Sequence, residues 1–137
     1  MSDRDTPKVK GVNHITLAVR DLDKAVGFYR DVLGLDLRKR WPGGAYFEAG
    51  GFWICLSPDE ATRAAPHPDY THLAFDVDDE TFDALAARIT GAGAAVWKDN
   101  RSEGRSHYFL DPDGHKLELH VGTLQSRLDA MEPCCAP

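Results

Sequence analysis

The sequence lacks most of the features that mark secreted, membrane-spanning or nucleic-acid-binding proteins. It has three cysteines, Cys55 and the adjacent Cys134 and Cys135, which do not form the even, spaced set of a disulfide scaffold. The N-terminus has no apolar run that could act as a signal peptide, and no stretch approaches the roughly 20 apolar residues of a membrane span. We therefore expect reduced thiols, a cytoplasmic location and no membrane partner.

Basic residues are also in the minority. The chain has 16 Lys and Arg against 22 Asp and Glu, and its formal net charge is -6 at pH 7. This balance argues against nucleic acid or an anionic membrane as the main partner, because both attract positive surfaces. The length of 137 residues and the apolar content of 42% are ordinary for one soluble domain with a core, so a small-molecule partner is favoured.

Two histidines occur in matching contexts, which indicates an internal repeat. His14 lies in Asn-His-Ile-Thr-Leu-Ala-Val, and His72 lies in Thr-His-Leu-Ala-Phe-Asp-Val. Each strand-like segment is followed by an aspartate-containing turn and an amphipathic segment that ends at glycine, residues 22–34 in one copy and 80–91 in the other. The chain is therefore expected to contain two copies of one structural unit.

Both copies predict the element order β-α-β-β-β. In the first, Asp21 can cap the helix, and strands are expected at 12–19, 35–40, 45–48 and 53–56. In the second, a helix begins at about Glu80, and strands are expected at 70–77, 96–97, 106–110 and 115–121. The prediction is an α+β fold with one domain at 11–128. Its two units cover about 11–57 and 70–122, with an extension at 1–10 and a flexible tail at 129–137.

The alternation of the strands places chemistry-bearing side chains at equivalent positions. His14 and Thr16 share one face of their strand, and aligning the two units puts Glu118 at the place of Cys55. His14, His72 and Glu118 would form a facial set of two imidazoles and one carboxylate, which leaves metal positions open for water or substrate. His120 is an alternative ligand on the face of Glu118, and ordinary surface or core histidines remain the competing interpretation.

Several motifs are similar to those of a known family. The chain resembles the vicinal-oxygen-chelate (glyoxalase/bleomycin-resistance) superfamily, and within it the FosA-type fosfomycin-resistance thiol transferases that use glutathione. The resemblance extends from Gly11 to about Leu128. Its most specific segments are Gly-Val-Asn-His-Ile-Thr-Leu-Ala-Val at 11–19, Gly-Ala-Tyr at 44–46, Trp-Ile-Cys-Leu-Ser at 53–57, Asp-Tyr-Thr-His at 69–72, Trp-Lys-Asp-Asn-Arg-Ser-Glu-Gly at 97–104 and the segment 106–122 around Asp-Pro-Asp-Gly.

The resemblance implies a homodimer in which units from two chains pair, as in a domain swap, to form cup-shaped mixed sheets. His14 would then come from one chain, and His72 and Glu118 from its partner. The implied metal is Mn(II), with other divalent metals as alternatives. It would bind the phosphonate and oxirane oxygens of fosfomycin while glutathione thiolate opens the epoxide and so inactivates the antibiotic.

The resemblance also assigns roles to residues around the metal. It implies catalytic roles for Thr16, which would bind the oxirane oxygen, and for Tyr46, Lys98 and Arg127. Lys98, Ser102, Tyr108 and Arg127 would bind the phosphonate. The thiol would lie near Tyr46, with Trp41, Trp53 and Ser57 lining its approach. A K⁺ ion would be held in the loop by Asn100, Ser102, Gly104 and Ser106.

Other activities are known on this scaffold, and the sequence differs from what they need. Relatives that hydrate the epoxide have a glutamate base in the loop that contains Gly44 here, and relatives that use bacillithiol or cysteine have a cysteine at the position of Thr16. A non-catalytic drug-binding protein would not need the metal ligands, and a glyoxalase or dioxygenase would not need the phosphonate set. Two further departures, Leu73 where relatives have tyrosine and Gly43 where a polar residue is common, concern the choice of thiol.

Overall fold

The computed structural model describes residues 6–131, and these form two four-stranded sheets and three α-helices. The first unit comprises β1 (His14–Val19), α1 (Leu22–Gly27), β2 (Asp36–Trp41), β3 (Gly44–Ala49) and β4 (Phe52–Pro58). The second comprises β5 (Leu73–Asp76), α2 (Asp79–Gly91), β6 (Val96–Lys98), β7 (Ser106–Leu110) and β8 (Lys116–His120), and α3 (Leu124–Ala130) follows it. The predicted pair of β-α-β-β-β units is confirmed.

The two sheets have the same strand order and register. The orders are β1-β4-β3-β2 and β5-β8-β7-β6, with the first pair parallel and the others antiparallel. Thr16 is paired with Cys55 in the first sheet, and Ala74 is paired with Glu118 in the second. Since Thr16 and Ala74 each lie two residues after the histidine, Cys55 and Glu118 occupy equivalent positions, as the sequence alignment of the two units predicted.

One face of each sheet is covered by helices, and the opposite face is open. On the covered face, alternate residues such as Leu17, Val19 and Phe47 are buried. Tyr29 joins the two units, because its hydroxyl donates to Asp111 Oδ2 at 2.6 Å in the turn between β7 and β8. Burial raises the pKa of both the Tyr29 hydroxyl and the Asp111 carboxyl above their ordinary values. The core therefore continues from one unit into the other.

The first helix differs from its predicted form. Asp21 caps it as expected, accepting from the backbone N–H of Lys24, but α-helical geometry ends at Gly27 and a π-helical turn covers Phe28–Val32. The wider turn lets two adjacent aromatic residues pack in different places: Phe28 lies 6.2 Å from the Phe109 ring and Tyr29 lies 6.2 Å from the Phe47 ring. Contacts with both sheets therefore decide the helix geometry here.

The remaining boundaries lie close to the predicted ones. His14 begins β1 and His72 immediately precedes β5, so both histidines stand at the start of an edge strand. Asp129 belongs to α3, whose N-terminus is held by a capping box between Thr123 and Ser126, although the sequence placed this residue in the tail. Cys134 and Cys135 lie outside the described residues. Within 6–131, every helix is too short or too polar to cross a bilayer.

Candidate functional site

A histidine and a carboxylate face each other on the open side of the second sheet. His72 Nε2 lies 3.0 Å from Glu118 Oε1. His72 Nδ1 lies 2.8 Å from the carbonyl oxygen of Tyr70, which can only accept, so Nδ1 carries a proton and donates it to this hydrogen bond. Nε2 then faces a carboxylate oxygen. A nitrogen and a carboxylate oxygen at this distance share a proton or a cation, and this pair of donors suits a divalent transition metal.

Glu118 is held in place by a short hydrogen-bonded chain. Its side chain is buried, and its Oε2 accepts from Ser106 Oγ at 2.6 Å. The same hydroxyl lies 2.6 Å from Nδ1 of His120. His120, the alternative candidate ligand, therefore points its Nδ1 at Ser106, while Glu118 makes the contact with His72. This arrangement favours Glu118 over His120 as the partner of His72.

His14 lies in the other unit, on the open face of the first sheet. It is exposed, and its Nδ1 lies 2.7 Å from the side-chain oxygen of Asn13, which leaves Nε2 with a free lone pair. Its ring lies 4.3 Å from that of Trp53. Among residues 6–131 of one chain, no three His, Cys, Asp or Glu side chains are close enough to hold a metal. Within one chain, His72 and Glu118 are therefore in contact and His14 is not part of the same cluster.

Aromatic side chains form a row on the open face of the first sheet. The Trp53 ring lies 5.2 Å from Tyr46, whose ring lies 4.8 Å from Trp41. Cys55 is a buried free thiol on the same face, paired in register with both Thr16 and Tyr46. This surface contains every residue predicted to contact the thiol and the oxirane oxygen, namely Thr16, Trp41, Tyr46, Trp53 and Ser57.

The second sheet supplies a lysine beside the histidine and carboxylate. Lys98 Nζ bonds to the Tyr70 hydroxyl and lies 4.5 Å from the Tyr70 ring centroid and 4.8 Å from that of Tyr108. The bond to Tyr70, with further attraction from Tyr108 and Glu118, raises the pKa of the Lys98 ammonium. Lys98 is therefore cationic at neutral pH and is held close to the candidate metal ligands.

The second predicted cation lies on α3. Arg127 Nε lies 3.2 Å from Glu103 Oε2, and its Nη2 lies 3.4 Å from Ser102 Oγ. The structure therefore brings Arg127 and Ser102 together, and Glu103 fixes the guanidinium between the loop and the helix.

The loop from 99 to 105 is folded tightly on itself. The Asn100 side chain donates to the Gly104 carbonyl at 2.7 Å and accepts from both the N–H and the hydroxyl of Ser102. Gly104 has a φ of +81°, and a Cβ there would lie 2.4 Å from the Val121 carbonyl oxygen. Asn100, Ser102 and Gly104 thus lie together through hydrogen bonds within the loop, while Ser106 bonds to Glu118 at the end of the loop.

Sequence reasoning gave no role to three residues that organise this site. Asn13 and Tyr70 set the proton positions of the two histidines, and Glu103 anchors Arg127. Asn13 and Tyr70 lie within the motifs around the histidines, one and two residues ahead of them, so proximity in the chain is the signal that could have found them. Glu103 has no comparable signal, because its partner lies on a distant helix.

Comparisons with known proteins agree with the fold and the repeat. The Glyoxalase/Bleomycin resistance protein/Dioxygenase superfamily matches residues 11–119. Glutathione transferase FosA of Serratia marcescens is 55% identical over 124 residues, covering 89% of this chain and 88% of the relative. Metallothiol transferase FosB of Shouchella clausii (strain KSM-K16) is 41% identical over 126 residues, covering 88% and 86%.

Solved structures extend the likeness to three dimensions. The fosfomycin resistance protein FosX from Listeria monocytogenes has a TM-score of 0.79 and 32% identity, covering 90% of this chain and 100% of that one. A point mutant of the same FosX, complexed with Mn(II) and 1S,2S-dihydroxypropylphosphonic acid, has a TM-score of 0.78 and 33% identity, covering 88% and 97%. The chain belongs to the Glyoxalase/Bleomycin resistance protein/Dioxygenase superfamily, and within it to the FosA-type group of the Serratia relative.

Proposed function

We propose that the protein is a metal-dependent transferase that adds the thiolate of glutathione to the epoxide of fosfomycin and so inactivates the antibiotic. The observation that carries this proposal is the 55% identity with a glutathione transferase FosA across both units of the chain. Cationic and hydroxyl side chains beside an imidazole–carboxylate pair are what a phosphonate epoxide needs, because negative charge is present on one end and develops on the other.

The metal site is formed by His14 of one protomer with His72 and Glu118 of its partner, in a homodimer with two such sites. Mn(II) is the proposed metal, although other divalent metals suit the same donors. The Nε2 of His14, the contact of His72 Nε2 with Glu118, and the burial of the Glu118 carboxylate support this assignment. Bound there, the cation supplies electrophilic stabilisation of the oxygen that leaves the carbon when the epoxide opens.

The chain's own groups bind and orient the substrate. Thr16 donates a hydrogen bond to the oxirane oxygen, and the phosphonate is bound by Lys98, Tyr108, Ser102 and Arg127. Lys98 suits this role because it is cationic and lies over the Tyr108 ring. The loop of Asn100, Ser102 and Gly104, with Ser106 at its end, holds a K⁺ ion through oxygen donors and places further positive charge beside the phosphonate.

The thiol approaches over the aromatic row of the first sheet. Tyr46 lies beside the attacking sulfur, and Trp41 and Ser57 line the path to it. Tyr46 suits this position because about a third of its surface is exposed (36%) on the open face that also carries Thr16. A glutathione-dependent enzyme works where that thiol is reduced, so we place the protein in the cytoplasm.

Two related activities are the alternatives. Likeness to FosX favours hydration of the epoxide, because a FosX mutant structure contains 1S,2S-dihydroxypropylphosphonic acid, a diol. The loop in which relatives that hydrate the epoxide have a glutamate contains Gly44 here, where even a Cβ would lie 2.8 Å from the Leu56 carbonyl oxygen. The 41% identity with a FosB metallothiol transferase favours transfer from a thiol other than glutathione. A drug-binding protein without catalysis would have no use for the paired His72 and Glu118.

Phosphorus NMR of fosfomycin distinguishes these activities. Purified protein with Mn(II) and K⁺ is incubated with glutathione, with cysteine, or with water alone. We expect a glutathione adduct that His72→Ala abolishes. An adduct formed only with cysteine would mean that cysteine, and not glutathione, is the co-substrate. A diol formed without thiol would indicate a hydrolase, and tight binding without product would indicate a sequestering protein.

A further inference from the structure

Three consecutive cations lie on β2, and only two of them have a partner among residues 6–131. Arg38 Nη1 lies 2.5 Å from Glu48 Oε1, and Arg40 pairs with Asp23 on the helix side of the sheet. Lys39 is exposed and, within residues 6–131, forms no ion pair, hydrogen bond or cation–π contact. A cation without an internal partner is available to a ligand.

Lys39 points to the open face. It is paired in register with Tyr46, so its side chain leaves the sheet on the side of the aromatic row. Lys98 is paired in the same way with Tyr108 in the second unit, and both lysines follow a bulge in their strand. Lys39 is therefore the first unit's equivalent of Lys98.

The two lysines differ in what holds them. Lys98 is tied to the hydroxyl of Tyr70, two residues before His72. The equivalent position, two residues before His14, is Val12, which has no hydrogen-bonding side chain. Lys39 thus has the position of Lys98 without its tether, which leaves its three donors free.

We propose that Lys39 binds a carboxylate of the thiol co-substrate and so selects small thiols that carry one, an inference that rests on the proposed function. Glutathione has a carboxylate at each end. Lys39 is paired with Tyr46, which the proposed function places beside the attacking sulfur, and neighbouring strands lie about 4.8 Å apart. The thiol of glutathione is on its middle residue, so a terminal carboxylate lies roughly two residue lengths, about 7 Å, from it. A sulfur held beside Tyr46 can therefore place one carboxylate of glutathione at Lys39.

Steady-state kinetics with two matched thiols test this role. Glutathione and its diethyl ester have the same backbone and thiol, but the ester has no free carboxylate. We expect Lys39→Gln to raise KM for glutathione by roughly fivefold to tenfold, as for loss of one hydrogen bond at an exposed site, with kcat and the fosfomycin KM unchanged. The diethyl ester should react equally well with both proteins, and Lys39→Arg should restore the KM for glutathione.

Lys24→Gln on α1 is the matched control, since it removes the same charge from the helix side of the first unit. If Lys39→Gln raises KM equally for glutathione and its diethyl ester, or if Lys24→Gln raises the glutathione KM as much as Lys39→Gln does, the proposed role of Lys39 is wrong. Adduct formation by the wild type with no effect of Lys39→Gln would remove this inference and leave the proposed function intact. Failure of the wild type with every thiol would remove both.

Discussion

A single hydrogen bond at Nδ1 decides that each candidate histidine ligand turns Nε2 towards the open face. Asn13 Oδ1 accepts from Nδ1 of His14, and the Tyr70 carbonyl oxygen accepts from Nδ1 of His72. Such outer partners fix the tautomer and the ring orientation of metal-binding histidines. Asn13 differs from Tyr70 in one practical respect: its acceptor belongs to the side chain and can be removed by mutation.

Asn13→Ala should therefore weaken metal binding without removing a ligand. We expect the dissociation constant for Mn(II) to rise by about tenfold or more, the usual cost of losing an outer partner of a metal ligand. Titration of the dimer with Mn(II), followed by the loss of the free-ion electron paramagnetic resonance signal, measures this directly. The His14→Ala variant should bind Mn(II) more weakly still. Equal Mn(II) affinity of Asn13→Ala and wild type would mean that His14 does not depend on Asn13 for its tautomer.

His107 has no described hydrogen-bond partner for its buried Nε2, and its ring stacks on Phe109 at 5.7 Å. Burial lowers the pKa of this imidazole from its ordinary value of 6.5. The folded state then binds fewer protons than the unfolded state, so stability is fully present above pH 6.5 and is lost as the pH falls toward the folded pKa.

The substitution His107→Phe should reduce the loss of stability at low pH, because it replaces a buried nitrogen that has no described hydrogen-bond partner with an apolar ring that can still stack on Phe109. We expect the variant to be more stable by on the order of 1 kcal/mol at pH 7.5, and by a larger margin at pH 5.5. Urea unfolding at the two pH values gives both numbers. His67→Gln, which replaces an exposed histidine, is the matched control for loss of an imidazole. If the unfolding free energy of His107→Phe falls between the two pH values as much as that of the wild type, the role given to His107 is wrong.

At the level of elements, the loop between β6 and β7 depends on one glycine. Gly104 combines a positive φ with a Cβ position 2.4 Å from the Val121 carbonyl oxygen, whereas Gly51 has a similar φ of +88° and nothing within 4 Å. Alanine at the two sites therefore separates backbone strain from steric overlap. The loop also holds Ser102 beside Arg127, so its shape sets the geometry of the candidate phosphonate site.

Gly104→Ala should destabilise the protein by about 2 kcal/mol or more, and Gly51→Ala by about 1 kcal/mol. Thermal unfolding compares the two. The proposed K⁺ site adds a second expectation: Gly104→Ala should raise the K⁺ concentration needed for half-maximal activity, and Gly51→Ala should not. Equal decreases in the free energy of unfolding would mean that the backbone at Val121 moves to accommodate the added methyl group.

Elements differ in how far the sequence determines them. The equivalence of Cys55 and Glu118 was predictable, because the period of two residues in a strand and the repeat around His14 and His72 fix which positions of the two units correspond. The π-helical turn at Phe28–Val32 was not, since it depends on aromatic packing against both sheets. The pairing of Arg127 with Glu103 was not predictable either, because a helix after the repeat meets a loop within it.

For the whole molecule, the central fact is that one chain keeps His14 apart from His72 and Glu118. Each histidine stands at the start of an edge strand, β1 in one sheet and β5 in the other. In the proposed homodimer, a twofold axis would bring the first sheet of each chain to the second sheet of its partner, join these edges and complete two sites at once, as expected for a closed interface. The proposed site then requires the proposed dimer.

Mixing inactive variants tests this arrangement. His14→Ala and His72→Ala dimers should each be inactive, because every site lacks a ligand. In a mixed dimer, one site combines the intact His14 of one chain with the intact His72 of the other, and the second site lacks both. After random exchange, half of the dimers are mixed and half of their sites are intact, so about one quarter of wild-type adduct formation and Mn(II) binding should return.

Mixing His72→Ala with Glu118→Ala should restore nothing, because both ligands come from the same chain. No recovery in the first mixture, with subunit exchange verified by mass spectrometry, would mean that each chain completes its own site.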